Sequence, residues 1–138
     1  PKPSSAASDV YKRQDWLRFP GGSTNTVSHR YGGRGIMKTL KAQAEQKGYH
    51  WIDWNVCAED ATASHPDAAQ ILRNIRRDAE GHDLCVVLLH DTKATGQTVK
   101  ALPDIIQWFR EQGYTFCTVA QMQAVKDEVS QPKEQPAG

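Results

Sequence analysis

From Trp16 onward the chain alternates between short unbroken apolar runs and stretches whose apolar residues recur every three or four positions. The first pattern is that of strands, the second that of one-sided helices. Trp16-Leu17-Arg18-Phe19 reads as the end of a strand, stopped by Pro20-Gly21-Gly22. A polar, glycine-rich connection over 23–35 follows. Ile36, Met37, Leu40 and Ala44 then share one helical face over 36–47, with Gly48 as the stop. Tyr49-His50-Trp51-Ile52-Asp53-Trp54 is an aromatic and branched run suited to a second strand. After a loop over 55–65, Ser64, Pro66 and Asp67 make a helix start. Ala68, Ile71, Leu72, Ile75 and Ala79 give that helix its buried stripe before Gly81. Residues 84–89 form a third strand. Val99, Leu102, Ile106 and Phe109 trace a third helix ending at Gly113, and Pro103 inside it predicts a kink or a late start. Residues 114–119 read as a fourth strand and 120–128 as a short last helix.

Strand and helix in strict alternation predict right-handed parallel crossovers, either a doubly wound sheet or part of a barrel. A closed parallel barrel takes about eight strands, so four strands read as the second half of a larger fold. The run Leu84-Cys85-Val86-Val87-Leu88-Leu89 has no polar face, which predicts a strand covered on both sides. The C-terminal ends of such strands are where α/β proteins place their chemistry. His90-Asp91 stands at that end.

Composition narrows the picture. At 138 residues the chain is one domain at most, and 38% hydrophobic residues suffice for a core. The net charge of +1 offers no electrostatic case for nucleic acid or an anionic membrane. No apolar run reaches the length of a membrane span, and no secretory signal is visible. The three cysteines, Cys57, Cys85 and Cys117, are odd in number and form no CxxC pair, which argues against a disulfide framework or a cysteine-based zinc site. Residues 1–14 have the composition of a disordered leader, and their string SSAASDVYKRQ looks like translated adapter sequence. The domain is therefore expected over 15–128, with a polar disordered tail over 129–138.

Arg18, Asp53 and His90 each close a separate expected strand, and parallel strands point such ends the same way. Taken singly, Arg18 reads equally well as a solvated charge, Asp53 as a cap, Trp54 as a core aromatic and His90 as a strand cap. Taken together and in order, Arg18-Phe19-Pro20-Gly21-Gly22, Asp53-Trp54 and Leu88-Leu89-His90-Asp91 resemble the last three motifs of the polysaccharide deacetylases, the NodB homology domain of carbohydrate esterase family 4. The resemblance covers about residues 17–122. It implies an α/β fold, the C-terminal half of a distorted (β/α) barrel. It also implies metal-dependent removal of N-acetyl groups from a GlcNAc-containing polysaccharide such as peptidoglycan or a chitin-like glycan. By resemblance, Arg18 orients the carboxylate base, the Gly21 N–H helps hold the oxyanion, and Asp53 fixes His90. His90 is then the general acid, Leu88 lines the acetyl pocket and Trp54 walls the groove. A bacterial cell-wall or extracellular location follows from the same resemblance.

The departures have consequences too. His50 stands where the family often has an acidic residue, and Gly21 where it commonly has Tyr. The paired Asp motif and the two metal-binding His, which bring a divalent cation (zinc, by resemblance), are absent. No metal ligand is therefore assigned in this chain, and the ligands are expected in an N-terminal part missing from it, which leaves the chain by itself inactive. His65-Pro66 lacks a spacing partner four residues earlier, where Ala61 stands, and reads as loop and helix start. Two other readings compete. One is a non-catalytic glycan-binding remnant that uses Trp54. The other is a phosphate binder built on Gly21-Gly22-Ser23-Thr24, which lacks the Lys and spacing of a P-loop.

Overall fold

Helix and strand alternate along the computed structural model, which describes residues 15–130. In order come β1 (Trp16–Leu17), α1 (His29–Gly32), α2 (Ile36–Gln46), β2 (His50–Trp51), β3 (Val56–Cys57), α3 (Ala68–Ala79), β4 (Val87–Leu88), a 3₁₀ turn (Lys93–Thr95), α4 (Gly96–Glu111) and α5 (Val119–Ser130). The expected leader, 1–14, and the expected tail from residue 131 lie outside the described residues. Residues 129 and 130, expected in the tail, end α5.

All pairing among the described residues is parallel, in two separate two-stranded sheets, β1–β2 and β3–β4. Trp16 stands opposite His50 and Leu17 opposite Trp51. The ladder is closed by His50 N–H to Asp15 O (2.6 Å) and Ile52 N–H to Leu17 O (2.9 Å). In the second sheet Val56 faces Val87 and Cys57 faces Leu88. Here the Asn55 side chain stands in for a strand residue, since its amide donates to Leu84 O (2.8 Å) and accepts from Val86 N–H (2.7 Å). That substitution turns the first residues of the expected 55–65 loop into β3.

The core sits where α3 and α4 pack on β3: Val56, Ala58, Ile71, Ile75, Ala79, Ala101, Ile105 and Phe109 are buried together. Each large side chain among them contributes about 1.5–3 kcal/mol by leaving water. Polar bonds key α3 to β3. Asp67 caps the helix by accepting from Gln70 N–H (2.8 Å), buried Asn74 donates to Ala58 O (3.0 Å), and Asp78 accepts from Cys57 N–H (3.0 Å).

Three expectations are corrected. The run 84–89 is half-buried, not covered on both sides. Cys85, Val87 and Leu89 pack against the helical core, while Leu84 and Val86 line both cavities beside the sheets. Residues 114–118 form no strand, because no described strand lies alongside to complete a ladder. That segment is held by side chains instead. The Tyr114 and Phe116 rings meet Phe109 edge-on at 5.2 and 6.3 Å, and the Tyr114 hydroxyl bonds to His82 O. Finally, α4 does not start late but runs through Pro103 from Gly96 to Glu111, and it buries Thr98, Ala101, Ile105 and Phe109 in place of the expected Val99 and Leu102. Pro103 lies on the exposed side, so the Val99 carbonyl that its missing N–H would have met is open to solvent.

Candidate active site

The ends of β1 and β2 carry one cluster. Beyond β1 the chain reverses through a turn closed by Gly22 N–H to Phe19 O (2.8 Å). Gly21 and Gly22 hold φ of +76° and +94°, a region that favours glycine. A Cβ on Gly22 would stand in ordinary contact with the Trp54 ring (3.5 Å) and Asp53 Oδ1 (3.7 Å), so Gly22 packs directly on these groups and it is the positive φ, not space, that calls for glycine. Asn25 braces the turn, donating to Gly22 O (2.7 Å) and accepting from Ser28 N–H (3.0 Å). Ser23 is thereby buried against Asp53 and satisfies both of its oxygens. The Ser23 N–H donates to Oδ1 (2.8 Å) and the hydroxyl to Oδ2. The Arg18 guanidinium lies over the Trp54 ring, 5.6 Å from its centroid, a cation–π contact. The Gly21 N–H makes no hydrogen bond to a described residue.

The ends of β3 and β4 carry the second cluster, centred on His90 and Asp60. Asp60 Oδ1 meets His90 Nδ1 at 2.9 Å, while Oδ2 accepts from the His90 backbone N–H (2.8 Å) and the Thr98 hydroxyl (2.7 Å). The Thr95 hydroxyl donates to His90 O (3.1 Å). The Asp60 side chain is 1% exposed and the His90 side chain 42%. His90 Nε2 bonds to no described residue. Burial pushes the Asp60 carboxyl up. Hydrogen bonds from the His90 ring, the Thr98 hydroxyl and the His90 N–H, with the positive charge of His90, outweigh it and hold the group below the usual carboxylate range.

The structure thus brings Arg18, Trp54, Gly22 and Asp53 together, and places His90 apart from them at the end of β4. It does not join His90 to Asp53. The carboxylate on the imidazole is Asp60, and Asp53 is taken up by Ser23. Leu88 lies half-buried on β4 opposite Cys57. Asp60 and Thr98 escaped the sequence reading because one falls in a stretch read as loop and the other one residue off the expected helix stripe. The sign that would have found Asp60 is the short apolar run Val56-Cys57-Ala58 with acids just beyond it, the pattern that marks Asp53 and His90.

An imidazole held this way suits proton transfer. An ionised carboxylate only accepts, so Nδ1 carries the proton and the partly exposed edge bearing Nε2 faces outward as donor or acceptor. A metal needs at least three ligands from the protein in most such sites. Among the described residues no three His, Cys, Asp or Glu side chains come together in that way, so the residues present do not fit a metal. Cavities of about 1270 and 490 Å³ adjoin the sheets. Arg18, Val86, Trp108 and Phe116 line the first, and Trp16, Trp51, Asp53 and Trp54 the second. His90 and Asp60 line neither.

Parallel strands with helical crossovers define an α/β protein, and a carboxylate-held histidine stands at one of its strand ends. Comparison with known proteins carries this further. No protein-family model matches the chain. It is 30% identical over 107 residues to the peptidoglycan-N-acetylglucosamine deacetylase of Bacillus cereus, a match covering 77% of this chain and 44% of that protein. It is 40% identical over 63 residues to the bifunctional xylanase/deacetylase of Pseudobutyrivibrio xylanivorans, covering 46% of this chain and 10% of the relative. Among solved structures, the catalytic domain of a peptidoglycan N-acetylglucosamine deacetylase from Eubacterium rectale superposes with a TM-score of 0.68 at 40% identity, over 75% of this chain and 47% of the other. A Streptococcus mutans CE4 esterase gives 0.60 at 28% identity, over 75% and 42%. In sequence and fold the chain is similar to polysaccharide deacetylases of carbohydrate esterase family 4, and its parallel strands and helices are compatible with part of a (β/α) barrel. The chain spans less than half the length of each of these relatives.

Proposed function

We propose that the chain carries the acid half of an active site that hydrolyses N-acetyl groups on a GlcNAc-containing polysaccharide, peptidoglycan or a chitin-like glycan. The observation that carries this reading is His90, clamped at its backbone and at Nδ1 while Nε2 bonds to no described residue. An amide resists hydrolysis because its amine is a poor leaving group. When water has added to the acetyl carbonyl, His90 in its charged form passes the Nε2 proton to the amide nitrogen. The C–N bond then breaks to give acetate and a free amine. His90 is left neutral with its Nδ1 proton still directed at Asp60. The Gly21 N–H, unbonded among the described residues, is positioned as a donor to the oxyanion. Arg18 orients the carboxylate base, Leu88 lines the acetyl pocket, and Trp54, stiffened by Arg18, walls the sugar groove. The base and any metal ligands belong to the part of the relatives that this chain does not span, and a polymer of that kind places the work at the cell wall.

The test is acetate release from N-acetylglucosamine oligomers and peptidoglycan by the protein as its host makes it. A positioned general acid contributes about 10²–10⁴ in rate. His90→Ala is therefore expected to lower turnover by about 10² or more while oligomer binding persists. A variant that keeps most of the wild-type rate refutes the role of His90.

A further inference from the structure

We infer that α1 and the start of α2 form a subsite for carboxylates carried by the glycan, so that an acidic polymer is taken in preference to a neutral one. The inference rests on the reading of the chain as part of a glycan deacetylase. The chain as a whole is close to neutral, yet no acidic residue stands between Asp15 and Glu45. Arg30, Arg34, Lys38 and Lys41 all fall inside that stretch. Arg30, Arg34 and Lys38 are exposed, and none of the four forms an ion pair with a described residue. Glu45, one turn beyond Lys41, bounds the patch, which leaves Arg30, Arg34 and Lys38 as its working cations. Like charges gathered without partners repel one another, and an anionic ligand relieves that repulsion.

The patch is built onto the cluster at the ends of β1 and β2. Asn25 Nδ2 donates to Gly22 O in the turn beside Asp53 (2.7 Å) and meets Met37 Sδ on α2 (3.4 Å). Its Oδ1 accepts from the N–H of Ser28, which leads into α1 (3.0 Å). A Cβ on Gly32 would stand 2.7 Å from Ile36 Cγ1, so α1 is pressed onto the first turn of α2 as only glycine permits. Turn, α1 and α2 are thus one platform. On it Tyr31 is 87% exposed, a ring with an apolar face on which a sugar can lie. The two guanidinium groups match carboxylates in a two-pronged geometry. One exposed ion pair contributes little, but a polymer with a carboxylate on each repeat engages several cations at once. Cell-wall strands that bear peptides carry such groups, and chitin does not.

Affinity electrophoresis of the intact protein through gels containing carboxymethyl chitin or neutral glycol chitin tests this without catalysis. Binding to carboxymethyl chitin is expected to be tighter by about tenfold or more, the scale of electrostatic focusing. The preference should vanish in about 1 M salt, where charges are screened beyond about 3 Å. Arg30→Gln/Arg34→Gln/Lys38→Gln is expected to lose the preference and still bind glycol chitin as the wild type does. Arg73→Gln/Lys100→Gln/Arg110→Gln, the same change of net charge placed on other exposed residues, keeps it. Equal binding of the two polymers, a preference that survives in the first variant, or equal losses in both variants each overturns the inference. Acetate release separates it from the reading on which it rests. If both polymers are deacetylated with the same kcat/KM by wild type and first variant, the subsite falls and the deacetylase stands. If carboxymethyl chitin is bound through these residues but neither polymer releases acetate, the deacetylase reading falls and the carboxylate subsite stands.

Discussion

His90 is a residue whose freedom has been removed at all polar atoms but one, and Asp60 does most of the removing. The pairing has a signature in pH. The folded state holds the Asp60 carboxyl below the usual carboxylate range, chiefly through the His90 and Thr98 hydrogen bonds that overcome its burial. A group depressed in this way contributes stability that is fully present above its unfolded value, about 3.9. The contribution drains away as pH falls through the lower folded value. Wild type is thus expected to lose stability relative to Asp60→Asn as pH drops below about 4, measured by urea unfolding across that range. Parallel curves would show that Asp60 is not held low. At this scale His90 was legible because it ends an apolar run. Asp60 was not, because in sequence it is one of two adjacent acids, Glu59 and Asp60, and only folding shows which one is buried.

At the scale of elements, α4 shows how a helix with two plausible apolar faces is oriented. Val99, Leu102, Ile106 and Phe109 make as good a stripe as Thr98, Ala101, Ile105 and Phe109, and composition favours the first. The second wins, with Val99 67% and Leu102 40% exposed against 3% for Ile105. Thr98 must reach the buried Asp60 carboxylate, and its hydroxyl brings the face that packs on α3 round by about one residue. Ile105→Ala is accordingly expected to cost about 2–5 kcal/mol, as large-to-small core changes do. Leu102→Ala should stay within about 1 kcal/mol, as exposed sites do. Thermal or denaturant melts of the two variants decide between the faces, and equal losses would restore the other stripe. The run 114–118 teaches the converse. Its β-branched and aromatic residues invite a strand, but a strand exists only where a neighbour supplies the other half of each hydrogen bond.

At the scale of the whole molecule, the described residues form two short parallel sheets, each with one ladder, so every strand has a side that meets no described strand. Unpaired strand edges template further pairing. The protein as given is therefore expected to associate at rising concentration, measured by sedimentation velocity. A strict monomer over the whole range would show that loops and side chains cover the edges.

What the sequence determined on its own was the three longer helices, the parallel sense of the strands, and the placing of Arg18, Asp53 and His90 just beyond strands, since these follow from hydrophobic period and from the one connection that parallel strands allow. The family motifs were legible for the same reason, being short and contiguous. Pairing across the chain was decided only by the tertiary structure. Which carboxylate meets His90, which hydroxyl turns α4, and where Asn55 replaces a strand residue all join atoms some 30 or more positions apart. A local pattern records what each segment prefers and carries no term for the partner it meets.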